Sequence, residues 1–282
     1  MKKIVIHITS PDQQAIVSSY SQMLASMQIN ILNLEQHVER DDSLFFMRIS
    51  AEAKHDFRVS SLEQSLDTIN KQFNASSSIY DIDKRLNLAI LVTHESLPLY
   101  DILIKHKTHE IKSNLRVIIS NHDTLRSIGN QFNINFKLID INSDKDKGNK
   151  QLESILEEET IDLLVLARYM QIVPSQIVKK YKGKIINIHH GFLPAFKGGN
   201  PYRQAWERGV KIIGATAHYV TKDLDEGPII SQDVIPITHH HSIEEMIASG
   251  RNLERNVLVN AIKAHLEYRV IIHGKRTIIF NK

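Results

Sequence analysis

The sequence predicts an α/β protein of two domains: a ferredoxin-like βαββαβ unit, then a mostly parallel sheet with crossover helices. Three observations carry this expectation. A length of 282 residues is enough to bury two cores. The apolar pattern over residues 1–84 runs strand, helix, strand, strand, helix, strand. From Leu86 onward, short apolar runs without polar alternation are separated by helical stretches, as in strands buried on both faces.

Residues 3–9 read as a strand, and Ser10-Pro11-Asp12 supplies the proline and polar residues that begin helices. Ile16, Tyr20, Leu24 and Met27 then recur at helical spacing. Strand-like runs at 29–38 and 44–50 flank the charged turn Glu39-Arg40-Asp41-Asp42. Phe57, Leu62, Leu66 and Ile69 mark a second helix, and Ser78 to Ile82 a last strand. The junction falls at 84/85, giving domains 1–84 and 85–282. Beyond it the strands are 88–93, 115–119, 135–139, 161–167 and 184–189, with a polar stretch from Asn142 to Lys150 leading into a helix.

Apolar residues at 42% and charged residues at 24% describe an ordinary globular protein. The N-terminal apolar run, broken by His7, is too short for a signal peptide or a membrane span. Zero cysteines exclude thiol nucleophiles, disulfides and thiolate metal sites, and fit a cytoplasmic protein. Residues 1–84 carry 8 Lys+Arg and 11 Asp+Glu, leaving 27 and 21 for the remainder, so the charge is −3 and then +6. The second domain mildly attracts a small anion, but no basic tract is dense enough for nucleic acid.

Chemistry concentrates between Lys184 and Gln232. In K-I-I-N-I-H-H-G-F-L-P at 184–194, alternation puts Asn187 and His189 on one strand face and His190 on the other. Gly191 and Pro194 then end the strand, which places an amide and an imidazole at a carboxyl end, where open α/β sheets bind ligands. His218 in I-G-A-T-A-H-Y-V-T either faces that pocket or makes a structural hydrogen bond. Asp225 in L-D-E-G-P-I-I reads by itself as a turn-capping carboxylate. The run His239-His240-His241 does not suit one metal ion, because adjacent residues converge poorly.

The stretches P-D-Q-Q-A-I-V, I-N-I and F-F-M-R near the N-terminus resemble an ACT domain. That resemblance implies pairing through sheets into a dimer or tetramer, and an amino-acid effector at the pairing surface. Ala15 stands where those domains commonly carry glycine, so an effector site and a purely oligomerising role both stay open. N-I-H, the later His218 and L-D-E-G-P-I resemble the folate-dependent formyl transferases and hydrolases. F-L-P-A-F-K-G-G-N-P-Y and G-R-N-L-E-R-N-V-L extend the resemblance to their formyltetrahydrofolate deformylase branch over essentially the whole chain.

The resemblance implies hydrolysis of 10-formyltetrahydrofolate to formate and tetrahydrofolate. It assigns Asn187 to the developing oxyanion, His189 to a second hydrogen bond or the proton, and Asp225 to the imidazole or the attacking water. Folate would be the substrate, with no separate cofactor and no metal. Met170, Gln171 and Ile172, in the loop Arg168–Val173, would contact the pterin, with His190 and His218 also lining the pocket. Core packing is the alternative reading of Met170 and Ile172.

The stretch Leu91 to Leu99 has no glycine to cradle a phosphate, and Glu95 would repel one, which argues for water as acceptor. Gly191 occupies a position where this family is expected to carry serine. The remaining alternatives are transfer of the formyl group to an amine, or a regulator that binds folate or an amino acid without turnover.

Overall fold

The computed structural model describes residues 1–141, 143–196 and 198–281. They form two compact units, Met1–Arg85 with Glu267–His273 and Ile278–Lys282, and Leu86–Leu266 with Gly274–Thr277.

In the first unit the order is β1 (Lys2–Pro11), α1 (Ile16–Ser26), β2 (Asn30–Glu39), β3 (Leu44–Ala53), α2 (Val59–Phe73) and β4 (Ser76–Asp81). The sheet is antiparallel in the order β2-β3-β1-β4. Alternation puts Ile4, Ile6 and Ile8 of β1 on one face with Met47, Ile49 and Ala51 of β3, and Tyr20, Leu24, Leu62 and Leu66 of the helices cover them. Pro11 ends β1 rather than starting α1, because its φ is equally suited to a strand end. The helix follows Ala15, which adopts the left-handed conformation at φ 68° that glycine takes without strain.

The chain's last residues belong to this unit, whereas the sequence reading groups them with the second domain. Arg48 is buried in the middle strand β3 and needs acceptors. It donates to the Tyr268 and Glu267 carbonyls, His7 bonds the Tyr268 carbonyl, and Tyr80 stacks on Tyr268.

The second unit runs β5 (Asn87–Val92), α3 (Leu97–Lys107), β6 (Asn114–Ser120), α4 (Arg126–Gln131), β7 (Asn135–Leu138), α5 (Lys145–Glu158), β8 (Leu163–Leu166), α6 (Ser175–Lys180), β9 (Ile185–His189), α7 (Pro201–Glu207), β10 (Ile212–Tyr219), β11 (Ile229–Pro236) and α8 (Ile243–Leu266). The hairpin β12 (Val270–His273) and β13 (Arg276–Ile279) closes the chain. Sheet order is β11-β10-β9-β8-β5-β6-β7, parallel from β9 to β7 and antiparallel at β10 and β11. The helix α5 starts within the polar stretch, at Lys145, with the Asp144 side chain capping the Lys147 N–H; Asn142 lies outside the described residues.

One face of this sheet buries Ala89, Leu91, Val117, Ile119, Leu164 and Ile185 beneath Leu152, Leu156 and Ile177 of α5 and α6. The helix α8 packs against β9, β10 and β11 and against α3. With both faces covered and β5 wholly apolar after Asn87, only the strand ends are left for polar chemistry.

Candidate active site

The site forms at the carboxyl ends of β8 and β9, beside the turn between β10 and β11. Register explains its centre. Asn187 of β9 is paired directly with His218 of β10, and directly opposed residues of antiparallel strands share a face. Their side chains therefore meet, with Asn187 Nδ2 3.3 Å from His218 Nε2. A bulge between Ala217 and His218 shifts β10 against β11 at this point.

His218 Nδ1 lies 2.9 Å from the Tyr219 carbonyl, which can only accept, so Nδ1 carries the hydrogen. Nε2 then accepts one Asn187 N–H, leaving the second N–H of the amide for a ligand. Both sequence readings of His218 are thus realised in one ring: a structural bond through Nδ1 and a place on the cavity through Nε2.

Asp225 is presented by the turn after β10 at φ 56°, a left-handed conformation that Asp tolerates better than most residues. The turn can press this close because residue 227 is glycine: a Cβ there would stand 1.6 Å from the Tyr219 carbonyl oxygen. Asp225 Oδ2 is 3.3 Å from His189 Nδ1 and accepts from the Gly198 N–H at 3.4 Å, while Oδ1 is 3.7 Å from His218 Nε2. Burial pushes the carboxyl up, but the neighbouring imidazoles of His218 and His189 and the Gly198 N–H outweigh it and hold the acid below its ordinary range.

His189 is 4% exposed and committed at both nitrogens. Nε2 donates to the Phe196 carbonyl at 3.1 Å, and Nδ1 faces Asp225 Oδ2 at 3.3 Å. Burial keeps this imidazole below its ordinary pKa despite Asp225. His189 thus stands behind Asp225 rather than on the cavity. Gly191 leaves it room, since a Cβ at residue 191 would come within 3.0 Å of His189 Nε2 and of Pro201 Cβ.

A cavity of roughly 280 Å³ opens here, lined by Gln171, Ile172, Asn187, His218, Leu224 and Asp225 among others. That is the low end for small-molecule sites and suits a bicyclic head group whose tail extends outward. Its rim is apolar and open to solvent, with Ile172 70% and Leu224 65% exposed. Core packing, the alternative for Met170 and Ile172, does not occur, because both project from a loop that precedes α6. Met170 is exposed away from the lining, and its backbone N–H donates to Thr93 Oγ1. His190 also lies off this cavity and lines a second one. The His239–His241 run sits after β11, where the Thr238 N–H donates to His241 Nδ1.

Sequence reasoning missed the residues that brace the site. Thr93, buried at the end of β5, bonds Asn121 and the Met170 N–H and so ties two loops together. Thr216 and Gln232 grip the Gly191–Leu193 turn: Thr216 Oγ1 donates to the Gly191 carbonyl and accepts from Leu193 N–H, and Gln232 donates to the Leu193 carbonyl. Polar residues inside strand-like runs, Thr93, Thr216 and Gln232, were the available signal.

A formyl transferase family model matches residues 86–262 and an ACT domain model residues 2–80. Over 276 residues the chain is 40% identical to a formyltetrahydrofolate deformylase of Synechocystis sp., covering 97% of this chain and 96% of that protein. Over 278 residues it is 41% identical to the Bacillus subtilis formyltetrahydrofolate deformylase, covering 97% and 92%. The crystal structure of a formyltetrahydrofolate deformylase from Pseudomonas syringae pv. tomato superimposes with a TM-score of 0.95 at 37% identity, over 100% of this chain and 95% of that one.

Proposed function

The chain belongs to the formyltetrahydrofolate deformylase family, and from that premise we propose that this cavity hydrolyses 10-formyltetrahydrofolate to formate and tetrahydrofolate. The observation that carries the reading is the convergence of Asn187, His218 and Asp225 on one cavity with an apolar rim. Water attacks the formyl carbon, a C–O bond forms and the C–N10 bond breaks. The electron pair goes to N10 with a proton from the water, and formic acid loses its remaining proton to solvent. The balance needs only water, with no metal or further cofactor.

Asn187 offers its second N–H to the oxyanion, a donor preorganised by its contact with His218. Asp225, held ionised, orients the water and relays its proton to the departing nitrogen. His189 stands behind Asp225 instead of touching substrate. Gln171 and Ile172 hold the pterin, and Met170 contributes through its backbone position. Water as acceptor is supported by the loop after β5, which lacks glycine and whose Glu95 pairs with Arg251 at 2.9 Å.

The formate would supply one-carbon metabolism and purine synthesis in the cytoplasm; no helix among the described residues is long and apolar enough to cross a membrane. The N-terminal unit would join copies into a dimer or tetramer, with or without an amino-acid effector at the pairing surface. The deciding experiment incubates the protein with 10-formyltetrahydrofolate, with and without glycinamide ribonucleotide. Formate release in both is expected, and transfer to the amine alone would replace hydrolysis by transformylation.

A further inference from the structure

The two chain segments that carry the site line two cavities, not one. After β8, Tyr169 and Gln171 face the first while Arg168 faces a second; Asn187 of β9 faces the first, and His190, just past the strand's end, the second. The cavities therefore adjoin along the same two chain segments. The second is roughly 490 Å³, with Glu95, Arg168, His190, Tyr202, Arg251 and Glu254 among its walls.

Its charges are mostly spoken for. Arg251 pairs with Glu95 at 2.9 Å, Arg203 with Glu207 at 3.0 Å, and Glu254 Oε1 accepts from Tyr202 Oη at 2.7 Å. Arg168 is different. Its Nε stands 3.7 Å from Glu254 Oε2, beyond hydrogen-bond range, and its Nη1 is buried with no hydrogen-bond partner among the described residues. A guanidinium does not shed its proton, so that N–H demands an acceptor. Burial raises the Glu254 carboxyl, which weakens its competition for Arg168, and burial keeps His190 neutral with a pKa of about 3.

The acceptor that best fits an arginine fork is a planar anion with two oxygens, a small carboxylate. The hydrolysis proposed above makes one next door. We infer that Arg168 is a binding site for a small carboxylate, which receives formate from the formyl centre and makes the second cavity the product's way out. The inference rests on the hydrolase reading for the identity of the anion, not for the existence of the site.

The test titrates [13C]formate into the full-length protein without folate and follows formate line width, comparing wild type with Arg168→Gln and Arg168→Lys. Saturable broadening in wild type is expected, with affinity at least tenfold weaker in both variants, because lysine keeps the charge and loses the fork. A second readout does not need the glutamine variant to fold: the Arg168 guanidinium 15N signal of wild type, assigned by its loss in Arg168→Lys, should shift as formate is added. No saturable binding by wild type, equal binding by the variants, or an unmoved Arg168 signal would overturn the inference. If the protein releases no formate from 10-formyltetrahydrofolate, the hydrolase reading falls, while the titration still decides the site.

Discussion

Replacing Asp225 by asparagine removes a charge and little else. Asparagine tolerates the left-handed backbone at φ 56° as aspartate does, so the turn keeps its shape. What is lost is the carboxylate's contact with His189 Nδ1 at 3.3 Å and its hold on the attacking water. Charge-assisted interactions are each worth roughly 1.5–3 kcal/mol, so two of them amount to about 4 kcal/mol. Charged to the transition state alone, that is a fall of about a thousandfold in kcat.

The assay is single-turnover release of formate from 10-formyltetrahydrofolate, with a thermal melt alongside. The melt also has a predicted sign. Asp225 titrates lower in the folded protein than in the unfolded chain, so it contributes stability above its unfolded pKa, and that contribution disappears as pH falls through the folded value. The variant should therefore lose less stability than wild type on acidification below about pH 4. A kcat within tenfold of wild type would refute the reasoning and return Asp225 to a turn-capping role.

Three further outcomes are expected. Asn187→Ala removes the oxyanion donor and should lower kcat/KM by about 10²- to 10³-fold, and a loss below threefold would exclude that role. Gly250→Ala on α8 would place a Cβ 2.0 Å from Tyr202 Oη and break its bond to Glu254. Overpacking plus a stranded buried carboxyl should cost about 3 kcal/mol, seen as a Tm drop of about 6–12 °C, and an unchanged Tm would show that Tyr202 is free to move. His265 is held to a pKa of about 4 by burial and by Lys184, below its unfolded value of about 6.5. Between those values the unfolded chain binds the extra proton, so stability falls as pH drops from 6.5 to 4, by about 2–3 kcal/mol for this ring. In His265→Gln the Tm should vary less over that range, as followed by melts at half-unit steps.

Much of the fold was legible because its strands announce themselves. Leu88-Ala89-Ile90-Leu91-Val92 is apolar at every position, which only a strand covered on both faces tolerates. The first unit was equally plain, since Ile16, Tyr20 and Leu24 form one helical stripe and all three are buried. Local pattern did not show that residues after Glu267 return to that unit, because the acceptors that Arg48 finds there lie 219 and 220 positions away. The fate of Pro11 was also misleading locally: proline suits a strand end and a helix start alike, and the neighbouring strand decided between them.

The candidate site divides the same way. By itself the sequence determined which residue types were present, the strand end that bears Asn187 and His189, and the glycine that lets the Asp225 turn close on β10. These follow from alternation along a strand and from where backbone can and cannot continue. Only the tertiary structure decided which of those side chains share a cavity. Cross-strand register brought His218 to Asn187, the Phe196 carbonyl drew His189 away from the opening, and two neighbouring loops sent Arg168 and His190 into a second chamber. Register and loop direction are set by packing between elements distant in sequence, so no reading of one segment contains them.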